Sequence, residues 1–359
     1  MLDCIWKLTR SVSTGCHEEK ITIHEVAKHA GVGIGTVSRV INNHPSVRPE
    51  TRARVLAAME ALGYTPNPHA RRIAGGRSYT VSVMLPFIAT EFYTRLVEGI
   101  ERVLSEQRYD LALFPILTKR RLERFLTSHT LAYQTDGLIV ASYNLAELFP
   151  GGHLPTDRPV VFVDAQSPRH DSVYLDNRLG GRIAAEYLMR FPGGLYAIGV
   201  EEELDQAFKN TGFAERIQGF QETLAQHNRP LPPRHVFKTR FSAEGGRLAL
   251  QHFLRQGSPP FNIFATADLV ALGVIEEAQR LKLNIGQDVR VLGFDGQPWT
   301  EAKGISTLMQ PVEAMGERAA TLLLERMEGH KGRPRSVRFE PILIERTSTG
   351  YPPDAVYVP

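Results

Sequence analysis

From residue 80 onward the chain alternates short apolar runs with amphipathic helical stretches, and this alternation restricts the fold more than any other feature. The runs are TVSVMLP, DLALFPI, DGLIVAS, PVVFVDA, LYAIGV, HVFKTRF, FNIFATA and VRVLGF. Between them lie stretches such as EFYTRLVEGIERVLSEQ and AERIQGFQETLAQH, whose apolar residues recur at helical spacing. Strands alternating with helices predict parallel sheets covered by helices on both faces. This many units exceeds one comfortable sheet, so two similar lobes are expected. Ligands of such sheets bind beyond the carboxyl ends of the strands, which places one site in the cleft between lobes.

The first 78 residues follow different rules. TIHEVAKHAGVGIGTVSRVIN, residues 22–42, reads as two short helices around a glycine turn. Thr22 and Glu25 form a capping box at the first start. Ile23, Val26, Ala27 and Ala30 share its apolar face, Gly31 permits the turn and Val32 packs the corner. A second helix from Ile34 to Ile41 buries Val37, Val40 and Ile41, leaving Ile34, Gly35, Thr36, Ser38 and Arg39 toward its outer face. A helix-turn-helix presents those positions to base edges in the DNA major groove. Gly31, Gly33 and Gly35 also suggest a phosphate loop, but that loop must follow a strand, and an amphipathic helix precedes them.

Pro49 begins and Gly63 ends a third helix, with Val55, Leu56, Met59 and Leu62 as its apolar stripe. Asn67 then caps, Pro68 begins and Gly75-Gly76 ends a helix of about seven residues, too short to persist alone in water. Charge is uneven. Residues 20–78 carry nine Lys/Arg against three acids, a net +6, in a chain whose formal total is +3. Positive charge therefore sits where a polyanion would bind.

With these residues in view, the headpiece and NPHARRIAGGRS resemble the lactose/galactose repressor (LacI/GalR) family of bacterial transcription regulators. The resemblance implies a helix-turn-helix DNA-binding domain over 21–66, a hinge helix over 67–77 and a two-lobed effector-binding and dimerisation domain over 78–359. Residues 1–20 are expected to be a disordered extension. The implied fold is an all-α headpiece plus an α/β, periplasmic-binding-protein-like domain whose chain crosses between lobes three times. The implied function is a homodimeric repressor of a palindromic operator, controlled by a small molecule in the cleft. Ile34, Gly35 and Arg39 occupy base-reading positions in the major groove, and Arg39 can grip a guanine. Thr22, Thr36, Ser38, Asn42, Thr51, Tyr64 and Asn67 match positions that touch phosphate or sugar. Ala70, Arg71 and Ile73 fall on the hinge helix in the minor groove, with Ile73 as the wedge between base pairs.

The same resemblance points to an effector site. Asp164 ends PVVFVD, Arg216 opens RIQGF and Asp295 ends VLGFD. Phe241 matches an aromatic that stacks on ligand, and Phe92 and Tyr93 line the same cleft. Carboxylates and an arginine grip hydroxyls bidentately while an aromatic ring covers an apolar face. Ala267 stands where sugar-responsive relatives commonly carry asparagine. A sugar or sugar derivative is the expected effector, with purines and a phosphorylated carrier protein as alternatives.

A sugar-modifying enzyme with an appended DNA-binding domain is the competing class. The sequence has no G-x-S-x-G elbow, no phosphate-loop lysine motif and no His-Glu-x-x-His, and its twelve histidines are scattered. Cys4 and Cys16 are the only cysteines, without metal-ligand spacing. No cofactor or metal is expected. The absence of a long apolar run and of an apolar leader predicts no membrane span and a cytoplasmic, nucleoid-associated protein. TSTGYPPDAVYVP at the C-terminus holds no leucine heptad.

Overall fold

A computed structural model describes residues 21–41, 44–64, 77–86, 90–116, 118–127, 135–143, 149, 154–201 and 211–350. The expected extension, Asn42, Asn67, Ala70, Arg71, Ile73 and the remainder of the hinge segment through Gly76 lie outside these residues. The chain divides into two compact units at Ser78/Tyr79.

The first unit holds α1 (Ile23–Ala30), α2 (Ile34–Ile41) and α3 (Pro49–Ala61). The capping box forms at the start of α1. The Glu25 carboxylate accepts the Thr22 amide at 2.6 Å and the Thr22 hydroxyl at 3.0 Å. Gly31 takes φ +62°, the left-handed geometry that ends α1 and turns the chain into α2. Val26, Ala27, Ala30, Val37, Val40, Val55 and Ala58 make the core, and Ile41 packs at its edge. Leu56 departs from expectation and is half exposed. Measured from Val55, the buried face of α3 runs through 58, 59 and 62, so Leu56 is turned about 100° away.

The second unit contains two six-stranded sheets. The first lobe runs β1 (Thr80–Leu85), β2 (Asp110–Pro115), β3 (Gly137–Ala141), β4 (Val160–Val163) and β5 (Asp171–Leu175), joined later by β11 (Ser336–Phe339). Its order is β11-β5-β4-β3-β1-β2, every pair parallel. The second holds β6 (Gly194–Val200), β7 (Val236–Thr239), β8 (Phe261–Ala265), β9 (Val289–Asp295), β10 (Ser306–Met309) and β12 (Ile342–Ile344). Its order is β12-β10-β9-β8-β6-β7, and only β12 runs antiparallel. The chain changes lobe after β5, after β10 and after β11, three crossings as expected.

All eight apolar runs become strands. β5, β10, β11 and β12 are additional; β12 is only three residues long, and in the other three polar residues hid the strand. Asp171-Ser172, Ser306-Thr307 and Arg338 interrupt the apolar pattern, although Asp171, Ser172, Ser306 and Thr307 are buried. Side chains alternate across the sheets as the period of two demands. Val81, Val83 and Leu85 join one core cluster that reaches Phe264 and Phe294 of the second lobe, whereas Met84 joins another on the opposite face.

Helices cover both faces. α4 (Glu91–Glu106) packs on α11 (Val312–Met327), which lies along β3, β4 and β5. α5 (Lys119–Thr127) follows β2. In the second lobe α6 (Asn177–Leu188) pairs with α7 (Gly212–Gln226), and α8 (Ala243–Leu254) pairs with α9 (Asp268–Arg280). A short α10 (Trp299–Ala302) follows β9. α6 and α7 approach so closely that a Cβ on Gly181 would run into the Arg216 carbonyl, and one on Gly219 into the Arg178 carbonyl.

Candidate nucleic-acid interface and effector cleft

On α2 the apolar spacing that buries Val37 and Val40 turns Ile34, Gly35 and Arg39 outward, and all three are exposed. Thr36, Ser38, Thr51 and Tyr64 are half-buried, and Thr22 is exposed at the α1 start. None of the described ion pairs uses Lys28, Arg39, Arg48 or Arg54. Their charge stays available to an anionic surface, with the apolar core of the unit behind it.

In the second unit a cavity of about 280 Å³ opens at the carboxyl ends of β3, β4 and β5. From the first lobe it is lined by Ser142 and Tyr143 after β3, Asp164, Ala165 and Gln166 after β4, and Tyr174 and Leu175 of β5. The opposite wall is the start of α6 and α7, with Asn177, Thr211, Gly212 and Glu215. Parallel topology explains the place, since every loop leaving a strand's carboxyl end emerges on this side.

Asp164 is the one predicted effector residue that lines the cavity directly. It is the first residue beyond β4 and holds φ +54°. The Ser142 hydroxyl donates to its Oδ2 at 2.6 Å. Burial pushes its pKa up to about 6; Ser142 and Arg216 oppose the rise, and the Asp295 and Glu215 charges add to it.

Arg216 lies one turn inside α7, because that helix begins at Gly212 rather than at Arg216. Its guanidinium is buried and fully engaged on one side. Nε donates to Asn177 Oδ1 at 2.8 Å, and one Nη donates to the Thr266 carbonyl at 2.7 Å and to Asp295 Oδ1 at 3.3 Å. It stacks 3.7 Å above the Phe294 ring. Asp295 also accepts from Gln310 Nε2 at 2.6 Å. Its φ of +121° is a strained conformation for a residue with a side chain. Burial drives Asp295 up from the usual carboxylate range, with Arg216 and Gln310 opposing.

Asp268 completes the buried cluster. It accepts from the Thr307 hydroxyl at 2.6 Å and the Gln297 amide at 2.9 Å. Burial raises its pKa and the Asp295 charge adds to the rise. Ala267 beside it is buried and caps α9 with no side-chain hydrogen bond.

The aromatic residues fall elsewhere. Tyr93 is buried, edge-on to Phe92 at 5.1 Å, and both pack on the first-lobe core rather than lining the cavity. Phe241 lies two residues beyond β7, 42% exposed, with its ring 6.1 Å from Phe213. Asn177, Glu215, Asp268 and Gln310 were not anticipated. Asn177 and Gln310 follow the two strands whose polar residues concealed them, and Glu215 carried no signal beyond its neighbour Arg216.

A second polar hub ties the lobes together. Arg95 of α4 makes a bidentate pair with Glu313 of α11 at 2.6 and 2.8 Å. It also donates to the Gly296 carbonyl of the second lobe at 3.2 Å, one residue after Asp295.

A DNA-reading head and a two-lobed ligand-binding unit on one chain define the class of effector-controlled transcription regulators. Residues 22–67 match the bacterial regulatory proteins, lacI family, and residues 197–349 match the periplasmic binding protein-like domain. The chain is 30% identical to catabolite control protein A of Priestia megaterium, across 86% of this chain and 92% of that protein. It is also 30% identical to the HTH-type transcriptional repressor PurR of Yersinia pestis (strain Pestoides F), across 91% and 96%. Among solved structures, a probable transcription regulator from Thermus thermophilus is 64% identical with a TM-score of 0.67, covering 77% of this chain and 100% of that one. A transcriptional regulator CelR–cellobiose complex is 28% identical with a TM-score of 0.65, covering 91% and 99%. The chain belongs to the lacI family of bacterial regulatory proteins. It is a DNA-binding transcriptional regulator with an effector-binding domain, in a family that is not enzymatic. No helix among the described residues is long and apolar enough to cross a membrane.

Proposed function

We propose that two copies of this chain repress transcription from a palindromic operator and that a sugar or sugar derivative in the cleft controls the grip. The observation that carries the reading is the outward face of α2, where Ile34, Gly35 and Arg39 stand exposed over a buried three-helix core in a segment of net +6. Arg39 supplies the guanine contact, Ile34 meets thymine methyl groups, and the remaining specificity comes from operator shape. Ala70, Arg71 and Ile73 enter the minor groove, and Asn42 and Asn67 hold phosphates or sugars. Supporting the effector class, a relative 28% identical over most of this chain was solved with cellobiose.

Ligand acts by changing the angle between lobes, which alters the spacing of the two hinge segments. The coupling equals the difference in ligand affinity between the two states.

Selection of binding sites from random DNA, followed by gel shift, tests the reading. A symmetric site is expected; Arg39→Ala should weaken it roughly ten-fold or more. Ile73→Ala should weaken operator binding while ligand affinity of the free protein stays unchanged. Equal affinity for selected and random DNA, whichever sugar, purine or phosphorylated carrier protein is added, overturns it.

A further inference from the structure

Asp295 ends β9 at φ +121°, and Gly296 after it is left-handed at φ +69°. The second lobe supports this turn with its own bonds. The Gly296 amide donates to the Thr307 hydroxyl at 3.2 Å, the Gln297 amide to Asp268 at 2.9 Å and the Gln310 amide to the Asp295 carbonyl at 3.2 Å. The Gln310 side chain also reaches the Asp295 carboxylate at 2.6 Å. A further support comes from the other lobe. Arg95 of α4 donates to the Gly296 carbonyl at 3.2 Å and reaches the Gln310 carbonyl at 3.5 Å. One first-lobe side chain thus grips both the residue that follows Asp295 and the residue whose side chain holds its carboxylate.

Arg95 itself is fixed to the first lobe. Its bidentate pair with Glu313 sets the guanidinium, and α4 lies so close to α11 that a Cβ on Gly99 would run into the Glu313 carbonyl and one on Gly316 into the Leu96 carbonyl. Arg95 is 8% exposed, so little water competes for its donors, and a charged donor bonds a carbonyl more strongly than a neutral one. Arg102 provides the contrast. It pairs with Glu317 across the same two helices, farther along, but its side chain is 60% exposed and none of its described bonds reaches the second lobe.

We propose that Arg95 is a positioning residue for the effector cluster: from the first lobe it holds the turn that carries Asp295, and so ties the place of that carboxylate to how the lobes stand. The inference rests on reading the Arg216–Asp295 cluster as part of the effector site. Backbone strain supplies the mechanism, because a strained conformation persists only while its surroundings over-determine it. When the lobes part, Arg95 stays with Glu313 and leaves the Gly296 carbonyl. The turn then relaxes, and the Asp295 carboxylate moves away from Arg216 and Gln310. A ligand that needs the cluster as built favours the lobe arrangement in which Arg95 reaches Gly296, and the coupling is reciprocal.

Hydrogen exchange of the full-length protein without ligand tests the hold on the turn. Arg95→Met should speed exchange of the Gly296, Gln297 and Gln310 amides by about five-fold or more, while amides of β6 and β8 in the same lobe stay within about two-fold. Arg102→Met, which breaks the neighbouring pair of the same helices, should leave all of them within about two-fold. Unchanged rates in Arg95→Met, equal acceleration in both variants, or uniform acceleration across the second lobe overturns the inference. Arg95→Lys keeps a cation for Glu313 but loses the fork, and it carries the same comparison if the methionine variant fails to fold. Isothermal titration with cellobiose, glucose and galactose tests the consequence for ligand. A sugar that binds the wild type should bind Arg95→Met about ten-fold more weakly and Arg102→Met within about two-fold of wild type. Equal loss in the two variants, or no loss in Arg95→Met, overturns the positioning role. If none of these sugars binds, the sugar reading of the effector loses support, while the exchange rates alone decide the role of Arg95.

Discussion

Two buried aspartates of the effector unit live in opposite electrostatic surroundings. Asp171, at the start of β5, faces two arginines: Arg326 reaches it at 2.7 and 3.0 Å, and Arg335 adds its guanidinium and its backbone amide at 2.8 Å. Burial pushes Asp171 up, but the hydrogen bonds from Arg326 and Arg335 win and hold its pKa at about 2. Asp295, beside the cleft, shares one arginine with Asp164 and Asp268, and all three are pushed up. Glu313 stands between these extremes, with one arginine to itself; the Arg95 hydrogen bond lowers it. A carboxylate saturated with cations fastens the fold. Buried carboxylates gathered near a single arginine, as Asp268 and Asp295 are, are pushed up instead.

This contrast can be broken by substitution. The largest effect is expected from Asp171→Ala, which leaves two guanidiniums facing each other and should cost about 3–5 kcal/mol. Chemical denaturation of the full chain measures it; a loss below 1 kcal/mol would falsify the fastening role. Next comes Arg95→Met, which strands the Glu313 carboxylate and frees the Gly296 carbonyl, with an expected loss of about 1–3 kcal/mol. Limited proteolysis should also find the lobes easier to separate, and unchanged cleavage rates would argue against a link between them.

The pH dependence sharpens the comparison from both sides. Asp171 has a folded pKa below its unfolded one, so its stabilisation is complete above pH 4 and disappears as pH falls toward 2, about 2 kcal/mol in all. Asp164 has the opposite sign. Its contribution is complete below pH 4 and is lost as pH rises through about 6. Melting curves should therefore lose their acid slope in Asp171→Asn and their slope near pH 6 in Asp164→Asn. The same slopes in wild type and variants would disprove the assignment.

The smallest effect on stability belongs to Asp295→Asn, about 1 kcal/mol or less in either direction, because an amide keeps the acceptor for Arg216 and sheds the charge that burial opposes. Its effect should fall on ligand binding instead. A destabilisation as large as that of Asp171→Ala would erase the distinction between the two sites.

Much of this could be read in one dimension. The turn at Gly31, the capping box at Thr22 and the strand-helix alternation behind the two lobes follow from patterns that span a few residues each, whereas the three crossings were implied only by the family resemblance. Arg216, Asp164 and Asp295 were picked out by the family resemblance; Asp164 and Asp295 do fall at strand ends, whereas Arg216 lies one turn inside α7. Phe92 and Tyr93 were harder. They follow a strand in the expected place, yet Tyr93 turns into the core, an outcome set by packing against neighbours distant in the chain. β5 and β10 escaped notice because their polar residues are buried only when partners from β11, β12 and α11 arrive.

Local chemistry in the sequence determined which segments become helices, strands and turns, and where positive charge gathers, since those depend on side-chain period and near neighbours. Tertiary structure alone decided which carboxylates own an arginine and which must share one. Asp171 meets Arg326 and Arg335 across more than 150 residues of chain, and Asp295 meets Arg216 across 79. Charge balance at a buried site is a property of who arrives there, and only folding brings those groups together.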